Sequence, residues 1–90
     1  LNFSKKLEVK NKLGLHARAA ALLVQTVNRF EADVVISKDG EKVDARSIIG
    51  VLTLGAAKGS KVRVVAKGKD AEASMRAIEE LFEKSFYEAE

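Results

Sequence analysis

Among the 90 residues of this chain one histidine, His16, and an arginine two places on, Arg18, form the pair whose side chains suit phosphoryl chemistry. A neutral imidazole nitrogen is a good nucleophile near pH 7, because the reference pKa of the ring is about 6.5. A guanidinium presents planar donors that match phosphate oxygens. One histidine and no cysteine argue against a transition-metal site, which draws on three or four nitrogen, sulfur or carboxylate ligands. No metal site is predicted. His16 also has no serine or cysteine set beside it as a nucleophilic pair. With no carboxylate dyad and no phosphate-cradling glycine loop, an enzyme with its own turnover is not expected.

The elements that must position His16 follow from the hydrophobic periodicity. Phe3, Leu7 and Val9 share one parity and predict a half-buried first strand. Residues 11–15 read as a loop turned at Gly14. From Ala17 the period changes to helical, with Ala20, Leu23, Val24, Val27 and Phe30 on one stripe. His16 therefore sits where a loop enters a helix. A helix start offers unpaired N–H groups and the positive end of a dipole, a natural place for an anion. The backbone N–H groups of Ala17 and Arg18 are the candidates to hold a phosphate carried by the ring. Spacing alone does not separate this from a histidine that simply caps or packs at a helix start.

Beyond that helix, residues 33–38 predict a strand, and Asp39-Gly40 is a type I′ hairpin signal with a return strand over 41–45. Ser47 is placed to cap a short helix reaching about Leu52. Gly55 and Gly59 bracket a loop. Val62, Val64 and Ala66 alternate on the last strand, and Asp70 is placed to cap a final helix whose stripe is Ala71, Met75, Ile78 and Phe82. The order β-α-β-β-α-β-α predicts an α+β fold, a four-stranded sheet with helices on one face, in a single domain spanning residues 1–90.

Apolar residues make up 47 % of the chain, enough for a core at this length. No apolar run approaches the roughly 20 residues of a membrane helix. The first residues lack the apolar stretch of a signal peptide. Without cysteine there is no disulfide framework. The expectation is a cytoplasmic protein with no membrane insertion. The net charge of +3 leaves room for acidic partners, though it is small enough to be an ordinary solvated surface. Base-stacking aromatics and an RNP-like string are missing from the central hairpin and the last strand. A basic RNA-binding module is thus the remote alternative, and no nucleic-acid partner is predicted.

The segment Gly14-Leu15-His16-Ala17-Arg18-Ala19-Ala20 resembles the active-site signature of the HPr family, in which Leu/Ile-His-x-Arg-Pro-Ala opens the first helix. The segment Ser47-Ile48-Ile49-Gly50-Val51-Leu52-Thr53-Leu54-Gly55, extended by Ala57-Lys58-Gly59, resembles that family's second signature. The strings stand at the family's spacing, and the order of elements agrees from Phe3 to about Phe86. The resemblance implies an open-faced β-sandwich, with a four-stranded antiparallel sheet covered on one face by three helices. It implies a phosphoryl carrier of the phosphoenolpyruvate-dependent sugar phosphotransferase system, with no metal or organic cofactor of its own. His16 would accept a phosphoryl group on Nδ1 from phosphorylated Enzyme I and pass it to an Enzyme IIA, with Arg18 neutralising the charge. Ala19 stands where the family usually has proline. Some loss of rigidity at the helix entry is expected from that, not a loss of chemistry.

Ser47 matches the serine that a dedicated HPr kinase/phosphorylase modifies in many family members. Phosphorylation would add about −2 charge there. The resemblance assigns partner docking to Ala21, Ile48 and Leu52, with Ile49 beside them. Of Ile48, Ile49 and Leu52, one or two are expected to face the core and the rest to form a small exposed patch. Arg18 and Arg46 could steer acidic partners. The alternative within the family is a regulatory or nitrogen-branch paralogue that signals from the same His16 instead of feeding transport. A monomer is the default for a carrier that must expose one site.

Overall fold

A computed structural model describes residues 2–88. Strand β1 (Asn2–Glu8) leads through a loop into helix α1 (Ala17–Val27). Strands β2 (Asp33–Lys38) and β3 (Glu41–Asp44) form the hairpin, followed by helix α2 (Ile48–Thr53), strand β4 (Lys61–Lys67) and helix α3 (Ala71–Glu83). A short 3-10 turn, Ser85–Tyr87, follows. The predicted order is observed, with the return strand ending one residue early.

The sheet order is β1-β4-β2-β3, and every neighbouring pair is antiparallel. Two hairpin residues carry positive φ, Asp39 at 51° and Gly40 at 84°, as a type I′ turn requires. Alternation then sorts the side chains. Val34, Ile36, Val62, Val64 and Ala66 are buried under the helices, and Lys61, Arg63 and Lys67 face the other way. Helix α3 packs on β1 and β4, α1 on α2 and α3, and α2 on β3. The fold is the expected α+β open-faced sandwich, with one sheet face covered and one bare.

The predicted helix stripes are buried at Ala20, Leu23, Val24 and Val27 on α1 and at Ala71, Met75, Ile78 and Phe82 on α3. Burying an aliphatic or aromatic side chain of this size contributes about 1.5–3 kcal/mol. Phe30 falls outside its stripe, because α1 ends at Val27 and the chain turns before reaching it; the ring is half-buried under Arg29, 5.5 Å away. Asp70 makes no side-chain cap on α3. Its carboxylate instead accepts from the Glu31 N–H at 2.8 Å, tying the α3 start to the loop after α1.

Candidate functional site

His16 stands at the mouth of α1 because the loop before it is pinned to the rest of the molecule. Leu15 is buried, and its N–H donates to the Ala56 carbonyl at 2.9 Å. Gly14 makes that approach possible. Its φ is +69°, and a Cβ there would lie 2.4 Å from the Ala56 oxygen, so any other residue must push the loop away. Asn11 is fully buried and donates from Nδ2 to the Gly14 carbonyl at 2.6 Å. These bonds fix the loop on both sides of the turn.

His16 itself occupies the N-cap position with extended backbone (φ −80°, ψ −177°), and its carbonyl accepts from the Ala20 N–H at 2.8 Å. The ring makes no capping bond to the helix. The capping alternative left open by spacing is therefore not what the imidazole does. Ala17 and Arg18, in the first turn, are both exposed. Ala19 is fully buried in the core cluster, so the position where the family usually has proline is a packing position here.

A residue that no spacing argument reached completes the arrangement. The carboxylate of Glu88 contacts Nε2 of His16, lies 3.3 Å from Nη1 of Arg18 and accepts from Nδ2 of Asn11 at 3.2 Å. An ionised carboxylate only accepts, so the shared proton belongs to Nε2, and in a neutral ring the lone pair is then on Nδ1. The His16 hydrogen bond holds the Glu88 carboxyl below the usual carboxylate range; desolvation opposes it, and the Asn11 hydrogen bond and the charge of Arg18 add smaller lowering contributions.

Glu88 reaches the site through a turn of unusual hand. Ser85, Phe86 and Tyr87 all have φ between 52° and 57°, a conformation that costs about 1–2 kcal/mol per residue without glycine. Two anchors offset that cost. Phe86 is fully buried and packs edge-on against Phe82, with ring centroids 5.0 Å apart. The Tyr87 hydroxyl donates to Glu80 at 3.0 Å, and that acceptor raises the phenol pKa. An open cleft of about 460 Å³ lies over the site, lined by Lys12, Leu13, His16, Arg18, Tyr87 and Glu88.

Ser47 caps α2 as expected, its Oγ accepting from the Gly50 N–H at 2.9 Å while the residue stays exposed. Ile48, Ile49 and Leu52 of α2 are all exposed, by 42 %, 74 % and 38 %. The expectation that one or two of them face the core is corrected, because the inward positions of this short helical stretch are taken by Val51 and Leu54. Ala21 is half-buried on α1, against which α2 packs. Leu13, 66 % exposed beside His16, adds apolar surface that the sequence reading did not single out. Arg46 is half-buried. Its guanidinium donates to the carbonyls of Ala32 (2.6 Å) and Phe30 (2.9 Å), bracing the turn after α1.

Fold and site together define a small open-faced β-sandwich with a histidine at the mouth of its first helix and a guanidinium and a carboxylate beside it. The profile described as "PTS HPr component phosphorylation site" matches residues 3–84. The phosphocarrier protein HPr of Xylella fastidiosa (strain Temecula1) is 48 % identical over 83 residues, covering 92 % of this chain and 93 % of that protein. The HPr-like protein Crh of Halalkalibacterium halodurans is 45 % identical over 80 residues, covering 89 % of this chain and 95 % of the relative. The crystal structure of HPr-C-His from Thermoanaerobacter tengcongensis superposes with a TM-score of 0.94 at 42 % identity, covering 98 % of this chain and 99 % of that one. The chain belongs to the HPr family of phosphocarrier proteins of the phosphotransferase system.

Proposed function

We propose that the protein carries a phosphoryl group on Nδ1 of His16, taken from phosphorylated Enzyme I and passed to an Enzyme IIA. One observation carries the assignment to Nδ1. Glu88 takes the Nε2–H of His16, which leaves the in-plane lone pair on the other nitrogen. That nitrogen attacks the phosphorus of the donor phosphohistidine, the P–N bond to the donor breaks, and the donor imidazole leaves with the electron pair. In the reverse sense the same bond on His16 breaks when an acceptor histidine attacks. Transfer of this kind depends on positioning and charge stabilisation more than on covalent help from the protein.

Arg18 supplies a positive charge two residues from the ring, and the exposed first turn of α1 supplies backbone donors at Ala17 and Arg18. Arg18 already faces the Glu88 carboxylate, so an incoming phosphoryl group shares or replaces that partner. Ala21, Ile48, Ile49 and Leu52, with Leu13, form the apolar surface for Enzyme I and Enzyme IIA. A monomer is the proposed working unit. Ser47 is exposed and is the proposed target of an HPr kinase/phosphorylase, whose product would place negative charge at the start of the docking helix.

The test is incubation with phosphoenolpyruvate, magnesium and a catalytic amount of Enzyme I, followed by intact mass and acid lability, with His16→Ala alongside. One acid-labile phosphoryl group that vanishes in the variant is the expected result. No gain with a competent Enzyme I would sink the carrier reading. A regulatory role is the second reading, prompted by the similarity to Crh at 45 % identity. An acid-stable phosphoryl group at Ser47 alone would favour it.

A further inference from the structure

The bare face of the sheet is ordered in rows across the strands. In one outer row Glu8 stands opposite Lys61, and in the other Asp33 stands opposite Lys67, so each cation faces a carboxylate. Between them runs Lys6–Arg63–Ser37–Lys42, in strand order β1-β4-β2-β3, with three cations and no acid. Lys6 and Arg63 are direct cross-strand partners, an arrangement of like charges that destabilises a sheet. Arg63 donates to Ser4 at 3.0 Å, and none of the three cations forms an ion pair among the described residues. The Asp44 carboxylate nearby is occupied by the Arg46 N–H at 2.9 Å. Lysines on the edge strands β1 and β3 guard against edge-to-edge pairing. That explains Lys6 and Lys42 but not Arg63, which is on an interior strand.

Next to the cationic row lies Ser4–Val65–Val35–Asp44, which places two apolar side chains at its centre. Val65 is half-buried and Val35 is 36 % exposed. At about 4.8 Å per strand the row spans about 14 Å, the reach of a short extended segment. A shallow concavity, lined in part by Lys6, Ser37, Lys38, Asp39, Lys61 and Arg63, continues it toward the hairpin, where Lys38 is already paired with Asp39 at 3.0 Å. We infer that the bare sheet face docks an acidic segment of a partner protein, its carboxylates on Lys6, Arg63 and Lys42 and an apolar side chain on Val35 and Val65. Nucleic acid fits less well. No aromatic residue is among those pointing outward from the four strands, and a valine pair gives a phosphate backbone nothing to bind. This face is opposite the helices, so docking there leaves His16 accessible.

The experiment titrates the ¹⁵N-labelled protein at low ionic strength with a synthetic glutamate-rich peptide carrying one central leucine, and separately with oligothymidylate. Peptide shifts are expected at Lys6, Val35, Ser37, Lys42, Arg63 and Val65. Affinity should fall with salt, and about five- to tenfold in Arg63→Ala or Lys42→Ala. Lys61→Ala and Lys67→Ala, in the compensated rows, should change it far less. Equal losses in these two would show a response to overall charge and overturn the assignment. So would peptide shifts centred on His16, or no binding at low salt. Oligothymidylate binding as tight as the peptide at the same residues would overturn the class of partner.

Discussion

On the helix-covered side, the charges at the mouth of α1 are tied together. His16 and Arg18 share the Glu88 carboxylate, and Asn11 holds both the loop and Glu88 from a fully buried position. On the bare side, Lys6 and Lys42 stand exposed in a row without an acid. The first arrangement restrains side chains in position, which the proposed phosphoryl transfer demands. The second offers mobile charge, which steers and holds a partner without dictating geometry. One small sheet supports both because its faces answer to different requirements: the covered face must pack, and the bare face need only stay soluble.

That contrast can be broken most severely at Arg18. Arg18→Ala should slow phosphoryl acceptance by about 10²-fold with little change in stability, the size expected when one charge-stabilising group is removed. Stopped-time mass spectrometry with Enzyme I reads the rate, and Lys6→Ala should leave it unchanged. If the two variants slow transfer equally, the faces are not functionally distinct.

Gly14→Ala should cost about 2–4 kcal/mol in urea unfolding, because the new Cβ both meets the Ala56 carbonyl and occupies a left-handed φ. Gly40→Ala, at positive φ but with no atom within reach of a Cβ, should cost less. The difference between the two reads how tightly the His16 loop is held compared with the hairpin.

Glu88 gives the contrast a pH dependence. Its carboxyl is held below the ordinary range in the folded protein, chiefly by the His16 hydrogen bond. Its stabilisation is therefore fully present above the unfolded carboxylate pKa and is lost as pH falls through the lowered folded value. Subtracting the unfolding curve of Glu88→Gln from that of the parent should show a contribution that fades only in acid. A flat difference would mean that the carboxylate contact does not persist in solution.

The smallest expected effect is on the bare face. Lys6→Glu should raise stability by about 0.2–1 kcal/mol at low salt, by turning a like-charge cross-strand pair with Arg63 into an opposite-charge one. The gain should shrink as salt is added. Such a gain would show that the native row carries a stability cost.

Much of this was readable along the chain. Period-two and helical alternation located β1, α1, β4 and α3, because side-chain direction is set by local backbone geometry, and the Asp39-Gly40 and Ser47 signals located the hairpin and α2. The placement of His16, Arg18 and Ser47 at helix starts was legible because spacing to a helix start is also local, while the roles proposed for them rest on the family resemblance. Phe30 was misplaced and Asp70 misassigned for a common reason: where a helix stops, and which N–H a carboxylate meets, depend on segments distant in sequence. The α2 face was misread because a six-residue helix is too short for its period to show which side is inward.

By itself, then, the sequence determined the elements, their order, the family signatures and the histidine proposed as nucleophile. Only the tertiary structure decided which nitrogen of His16 is engaged. That choice is made by Glu88, 72 residues away, delivered through a reversed turn anchored by Phe86 in the core. Only the strand register, likewise, put Lys6, Arg63 and Lys42 in one row. Both are long-range pairings, and neither leaves a periodic trace, because the chain must close on itself before such residues meet.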